Sequence, residues 1–157
     1  MSPRPDIPGV IAPPPLIYMA FLAAGWAVER FGMDFTLNLP DPVRRWGALG
    51  LIIAGFMLEG EAAERFRRLG TPLQPWRPTT ALATTGAYRL SRNPVYLGFA
   101  IIYAGLAIGL DSPVALTLLI PCLVVMDRFV VAREERYLEA KFGPDWRAYA
   151  ARVRRWL

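Results

Sequence analysis

Four long stretches of this sequence carry almost no charge, and they constrain its fold more than any other feature. They lie at residues 10–28, 46–58, 94–110 and 113–132. The interior of a bilayer offers no water to the backbone, so apolar stretches of this kind are expected to be helical. The sequence therefore predicts an all-α, polytopic membrane protein with about four transmembrane helices, followed by cytosolic C-terminal helices. The length indicates one domain over residues 1–157.

A polar residue followed by proline recurs where three of the predicted helices begin. The pairs are Asp41-Pro42, Asn93-Pro94 and Ser112-Pro113. Side chains of these polar types cap helices, and proline is favoured at the first helical position because it has no N–H group. We therefore predict helix starts at the three pairs, with the last two helices forming a hairpin.

The second predicted helix does not end with its apolar part. Its pattern continues through residues 59–69 and stops at Gly70, so we expect it to leave the bilayer and project into the cytoplasm. Glu59 and Glu61 lie at this exit. We predict that they are solvated charges, with a cavity-facing position as the alternative.

Other residues predict local features of the remaining helices. The first helix should begin near Pro14 or Pro15, and Gly25 should allow another helix to approach closely. Pro121 predicts a kink in the fourth helix. An amphipathic helix is predicted from residue 144 to residue 157, either at the membrane interface or as a cap beneath the protein.

The distribution of basic residues predicts the orientation. Most Arg and Lys residues fall in residues 65–92 and 128–155, which places both termini and the long loop in the cytosol. We expect the net charge of +5 to contact anionic membrane lipids, and we do not predict nucleic-acid binding. With no histidine and one cysteine, the chain has neither a histidine base nor a Cys/His zinc site, and no metal is predicted.

Residues that can bind charged groups collect at this cytosolic side. Arg89 and Arg92 lie beside the start of the third helix, where the helix dipole also attracts anions. Glu134 and Glu135 follow the fourth helix, so the two groups together suit a zwitterion. Residues 71–85, with three prolines, are predicted to be an ordered wall or lid. The alternatives are that the arginines only anchor the topology and that the glutamates are solvated.

Two motifs and the tail resemble one family. The first motif reads Arg92-Asn93-Pro94-x-Tyr96-x-Gly98, and the second reads Glu134-Glu135-x-x-Leu138-x-x-x-Phe142-Gly143. The tail, with Trp146, Tyr149, Arg152, Val153, Arg155 and Trp156, is similar to the aromatic and basic end of the same pattern. Over residues 71–157 the chain resembles the isoprenylcysteine carboxyl methyltransferase and phospholipid methyltransferase superfamily of integral membrane enzymes.

The resemblance implies a cofactor-binding core in residues 71–157 on a helical scaffold in residues 1–70. It implies S-adenosylmethionine as the cofactor, and a lipophilic or lipidated acceptor that enters sideways from the membrane. Arg92, Glu134 and Glu135 are implied as catalytic residues. The implied cofactor-binding residues are Gly86, Tyr88, Arg92, Asn93, Pro94, Tyr96, Gly98, Glu134 and Glu135. Asn93 stands where the family usually has histidine, and an amide does not titrate near neutral pH.

Two other functions remain open at this point. Sterol reductases carry a similar arginine-rich stretch and bind a nicotinamide dinucleotide, but Val95 and Phe99 stand where that family has asparagine and an acid. A small four-helix transporter would need an acid deep within a span, whereas Asp127 lies near a helix end. Nothing in the sequence selects the methyl acceptor, which is a carboxylate, a thiol or an amine, or defines the oligomeric state.

Overall fold

The computed structural model describes residues 6–32 and 35–157. Within these ranges the regular structure is entirely helical, as predicted. The elements are α1 (Pro14–Gly32), α2 (Asp41–Arg68), a 3₁₀ turn (Gly86–Arg89), α3 (Pro94–Gly109), α4 (Pro113–Met126), a π-helical turn (Asp127–Val131), α5 (Ala132–Phe142) and α6 (Pro144–Ala150). The segment Pro113–Phe142 is one continuous helix whose middle is the π turn.

The predicted helix starts are confirmed in position, but only one of the three polar residues is a side-chain cap. Ser112 Oγ accepts a hydrogen bond from Ala115 N. Asp41 is already the first helical residue, and its carboxylate binds Arg44 instead. Asn93 occupies the cap position of α3, but its side-chain amide donates to the Arg155 carbonyl. The capping roles predicted for Asp41 and Asn93 are therefore wrong. The Asp41 side chain forms an ion pair with Arg44, and the Asn93 side chain bonds to a residue far along the chain.

Close helix contacts depend on glycine, as predicted at Gly25. A Cβ atom at Gly25 would overlap the backbone of Ala115, so α1 and α4 approach at this point. The longest interface, between α2 and α3, is built in the same way. A Cβ atom at Gly98 would lie 2.6 Å from Glu59 Cγ and 3.0 Å from the Gly55 carbonyl oxygen. Small residues at these crossings let helices pack backbone to backbone.

The outward faces of the helices are apolar. Phe31 is 81% exposed, Trp46 72% and Met57 70%. Water-soluble proteins rarely expose so many large apolar side chains. Two helices, Asp41–Arg68 and Pro113–Phe142, are long and apolar enough to cross a membrane. The apolar α3 is shorter than these. The four-span arrangement and the cytosolic position of both termini stay predictions.

The C-terminal half departs from the predicted helices in two places. Pro121 lies within α4 itself. The helix leaves α geometry further along, at residues 127–131. The predicted amphipathic helix ends at Ala150 and does not reach Leu157. Residues 151–157 turn back, because Arg152 N and Val153 N both bond to the Tyr149 carbonyl and close the helix. Of the two predicted positions for this helix, the cap is supported, since Trp146 and Tyr149 are buried against the rest of the chain.

The long α2 helix ends at Arg68, just before the predicted stop at Gly70, and its two glutamates contact other parts of the protein. Glu61 accepts hydrogen bonds from Ala87 N at 2.7 Å and from Arg65 Nε at 2.8 Å. Glu59 lies against Gly98, and its Oε1 atom is buried without a hydrogen-bond partner among the described residues. The prediction of a solvated charge was wrong for Glu59, because α3 covers this part of α2. The Glu61 side chain is 37% exposed and stays partly solvated beside the 3₁₀ turn.

Candidate active site

A cavity of about 200 Å³ lies below the start of α3. This is far above the roughly 10–15 Å³ that one water requires, so the space is of ligand size. Its walls come from the N-terminal segment, the end of α2, the loop 71–85, the start of α3, α5 and α6. The lining includes Pro14, Phe66, Trp76, Leu82, Tyr88, Arg92, Asn93, Val95, Tyr96, Phe99, Glu134, Glu135, Tyr137, Leu138, Trp146 and Tyr149. The loop is an ordered wall, as predicted, although its Trp76 remains half-exposed.

Arg92 connects the α3 start to the C-terminal part of the chain. Its Nη2 lies 2.8 Å from Glu135 Oε1, and both side chains are only 14% exposed. Its Nη1 donates to the carbonyl oxygens of Ala150 and Val153. The guanidinium also lies 5.8 Å from the centroid of the Trp146 ring. Arg89, by contrast, is exposed on the surface.

The two adjacent glutamates have different surroundings. Glu135 lies between two cations, because its Oε2 accepts from Arg155 Nε while its Oε1 faces Arg92. Glu134 Oε1 accepts a hydrogen bond from Tyr96 Oη. Among the described residues Glu134 forms no ion pair, so the cavity holds one carboxyl group without a cationic partner.

The C-terminal segment closes the floor of the cavity through backbone contacts. Ser91 Oγ and Asn93 Nδ2 both donate to the Arg155 carbonyl, at 3.1 and 3.0 Å. Tyr149 Oη donates to the Tyr88 carbonyl at 2.8 Å. Burial raises the pKa of Tyr88 and of Tyr149 above the ordinary phenol value, so both remain neutral hydrogen-bond donors.

Two covering segments meet at the Tyr137 hydroxyl. This hydroxyl accepts from Thr79 N in the loop 71–85 and donates to the Asp6 carbonyl in the N-terminal segment. Lys141 Nζ lies 2.6 Å from the Asp6 carboxylate, and this hydrogen bond lowers the pKa of Asp6. The N-terminal segment therefore closes over α5, and Pro8 reaches the cavity lining.

The structure brings six of the predicted site residues to the cavity and leaves three outside its lining. Tyr88, Arg92, Asn93, Tyr96, Glu134 and Glu135 line the cavity. Gly86 faces Glu61 on α2, Gly98 faces Glu59, and Pro94 is buried at the first position of α3. These three residues shape the backbone that carries the lining, because each allows a turn or a close helix contact.

Other cavity residues escaped the sequence-based prediction. Phe66, Phe99, Leu138 and Tyr137 were not predicted, since an aromatic or aliphatic residue in a helix has the same pattern whether it faces a core or a ligand. For the wall formed by the loop 71–85, the signal in the sequence was the length of the loop and its three prolines.

The described residues thus form a helical fold with two helices long and apolar enough to cross a membrane, and with a mostly apolar cavity that contains charged side chains. A family model described as phospholipid methyltransferase matches residues 43–145. This range covers most of α2 and everything through the start of α6, and the chain belongs to the phospholipid methyltransferase family. The match confirms the family predicted from the two motifs.

Two relatives each match less than half of the chain. An uncharacterized protein of Haemophilus influenzae is 40% identical over 63 residues, which is 40% of this chain and the whole of that protein. Protein-S-isoprenylcysteine O-methyltransferase B of Arabidopsis thaliana is 39% identical over 75 residues. That match covers 46% of this chain and 36% of the plant enzyme.

Proposed function

We propose that this protein is an S-adenosylmethionine-dependent methyltransferase that acts on a lipophilic acceptor held in the membrane, from the cytosolic face. The family implies methyl transfer. The observation that carries the cofactor assignment is the position of the Glu134 carboxyl group, which lines the cavity beside Tyr96 and has no cationic partner among the described residues. A partly buried carboxylate without a counter-charge is costly, and a cationic ligand removes that cost.

The described side chains match the groups of S-adenosylmethionine. Its sulfonium and ammonium groups are cations, which suit Glu134. Its carboxylate suits Arg92, whose Nε atom is buried and has no hydrogen-bond partner among the described residues. The rings of Tyr88 and Trp146 offer flat surfaces for an adenine base.

The remaining lining favours a lipophilic acceptor. Val95, Phe99 and Leu138 form an apolar part of the cavity wall. When bound, the cofactor supplies an electrophilic methyl group, and the residues around it align that group with the acceptor and exclude water. Alignment of this kind is worth up to about 7–11 kcal/mol in favourable cases. A carboxylate or thiolate acceptor needs no base, whereas a protonated amine must first lose a proton.

Partners follow from the same proposal. The substrate is a lipophilic small molecule or a lipidated group, and the apolar outer faces contact membrane lipids. The reductase and transporter alternatives are not favoured by the family match.

The Glu134→Gln variant tests the cofactor assignment by comparing two ligands that differ in charge. S-adenosylmethionine carries a sulfonium, while its demethylated product, S-adenosylhomocysteine, has a neutral thioether. We expect both ligands to bind the wild-type protein in detergent, and Glu134→Gln to weaken S-adenosylmethionine by about tenfold or more, the size expected for a charged hydrogen-bond partner. Isothermal calorimetry measures both dissociation constants.

The ligand pair also locates the cation. A loss confined to S-adenosylmethionine places the sulfonium beside Glu134, whereas an equal loss for both ligands places the ammonium there. Glu64→Gln is the matched control, because Glu64 lies on the cytosolic part of α2 and binds only Arg67 and Arg68. If neither ligand binds the wild-type protein, or if Glu134→Gln changes neither constant, the cofactor assignment is wrong.

A further inference from the structure

Arg155 binds two carboxylates that are eight residues apart on one helix. Its Nη1 donates to both oxygens of Asp127, at 3.1 and 3.0 Å, and its Nε donates to Glu135 Oε2 at 3.1 Å. Trp156 Nε1 also donates to Asp127 Oδ1 at 3.0 Å. Asp127 is not part of the cavity lining, so it has no direct route to a ligand.

The π turn explains how one arginine reaches both acids. Two turns of a regular α-helix take about seven residues, so two residues eight apart differ by about 80° in the direction they point. A π turn takes about one residue more than an α turn. Because the π turn begins at Asp127, eight residues complete the two turns, and Glu135 returns to the side of the helix on which Asp127 lies.

The contacts continue from Arg155 to the cavity. Glu135, held by Arg155 through one carboxylate oxygen, presents the other oxygen to Arg92 Nη2 at 2.8 Å. The backbone carbonyl of Arg155 holds Ser91 and Asn93 at the start of α3. Asp127, Arg155, Glu135 and Arg92 thus form a row of alternating charges that is neutral as a whole.

We propose that Asp127 and Arg155 are positioning residues that fix the orientation of Glu135 and Arg92 for binding of the amino-acid part of the cofactor. This inference rests on the proposed function. Asp127 holds one side of the Arg155 guanidinium, so that the other side stays directed at Glu135. Without Asp127, the guanidinium is free to rotate away, and Arg92 loses a fixed partner. Because this row is neutral as a whole, Glu134 stays without a cationic partner until the ligand arrives.

The Asp127→Asn variant is the direct test, because it keeps the size of the side chain and removes its charge. We expect it to weaken S-adenosylhomocysteine binding by about tenfold, a coupling typical of residues in one hydrogen-bonded network. Arg155→Met should have at least the same effect. In the double variant, Asp127→Asn should add nothing to Arg155→Met, since Asp127 acts only through Arg155. Arg155→Lys should give an intermediate loss, because lysine retains the charge without the forked geometry.

Calorimetry on the folded, monodisperse fraction separates positioning from general stability. A merely structural role lowers the melting temperature without changing the dissociation constant of the folded protein. Glu64→Gln is the control, as an acid that binds two arginines away from the cavity. Unchanged affinity in Asp127→Asn, or independent effects that multiply in the double variant, would overturn the inference alone. A wild-type protein that binds neither cofactor form overturns the proposed function and this inference with it.

Discussion

Replacing Arg92 with methionine is expected to lower both the stability and the ligand affinity of the protein more than any other single change. The substitution removes one of the two cations that bind Glu135, and it removes the donor to the Ala150 and Val153 carbonyls. Breaking a buried ion pair costs about 3–5 kcal/mol when the remaining charge has no other partner, and Arg155 keeps the loss at Glu135 below that figure. Since the same contacts join α3 to the C-terminal segment, the floor of the cavity should loosen.

Thermal unfolding in detergent, followed by calorimetry with S-adenosylhomocysteine, measures both effects of Arg92→Met. Arg89→Met is the matched control, because Arg89 lies three residues earlier and its side chain is exposed. We expect Arg89→Met to unfold and bind as the wild-type protein does. Equal losses in the two variants would show that the positive charge of this segment matters and that the specific contacts of Arg92 do not.

The second large effect is expected at Gly86, and it should be an effect on stability. Gly86 has a φ of +64°, and Gly70 has a φ of +62°. Alanine at either position adopts a left-handed backbone at a cost of about 1–2 kcal/mol. A Cβ atom at Gly86 would also overlap the side chains of Glu61 and Arg65, whereas one at Gly70 would meet nothing.

The comparison of Gly86→Ala with Gly70→Ala therefore isolates the contact with α2. Displacing Glu61 from Ala87 N leaves a polar group unpaired and adds about 1–3 kcal/mol. Melting temperatures of the two variants, measured side by side in detergent, should show a clearly larger decrease for Gly86→Ala. If the two decreases are equal, Glu61 does not hold the turn, and a ligand role for Gly86 becomes the better explanation of its position.

Much of the helical framework was predictable because its signals are local. The proline at each helix start and the glycine after α2 depend only on neighbouring residues, and the structure places those ends at the predicted positions. The π turn was not predictable in this way. Residues 127–131 contain no local signal for it, and the contact of Asp127 with Arg155 joins residues that are distant in sequence.

The candidate site shows the same division between local and long-range information. The motif residues Arg92, Tyr96 and Glu134 were identified by resemblance, and the structure brings them to one cavity. Gly98 ends the first motif and Gly86 was predicted to bind the cofactor ahead of it, but both glycines lie against α2. A glycine in a sequence indicates a site of close approach. It does not indicate whether the neighbouring group is a ligand or another helix.

The transfer of a labelled methyl group tests the central claim most directly. The purified protein is placed in vesicles of phosphatidylethanolamine and phosphatidylglycerol that also contain a farnesylated cysteine and a long-chain thiol, so that amine, carboxylate and thiol acceptors are all present. S-adenosylmethionine labelled on its methyl group is then added to the vesicles in buffer without detergent. We predict that label enters an organic-extractable acceptor with the wild-type protein and far less with Glu134→Gln. Absence of label from all three acceptor classes, with folded protein in the vesicles, would contradict the proposed function.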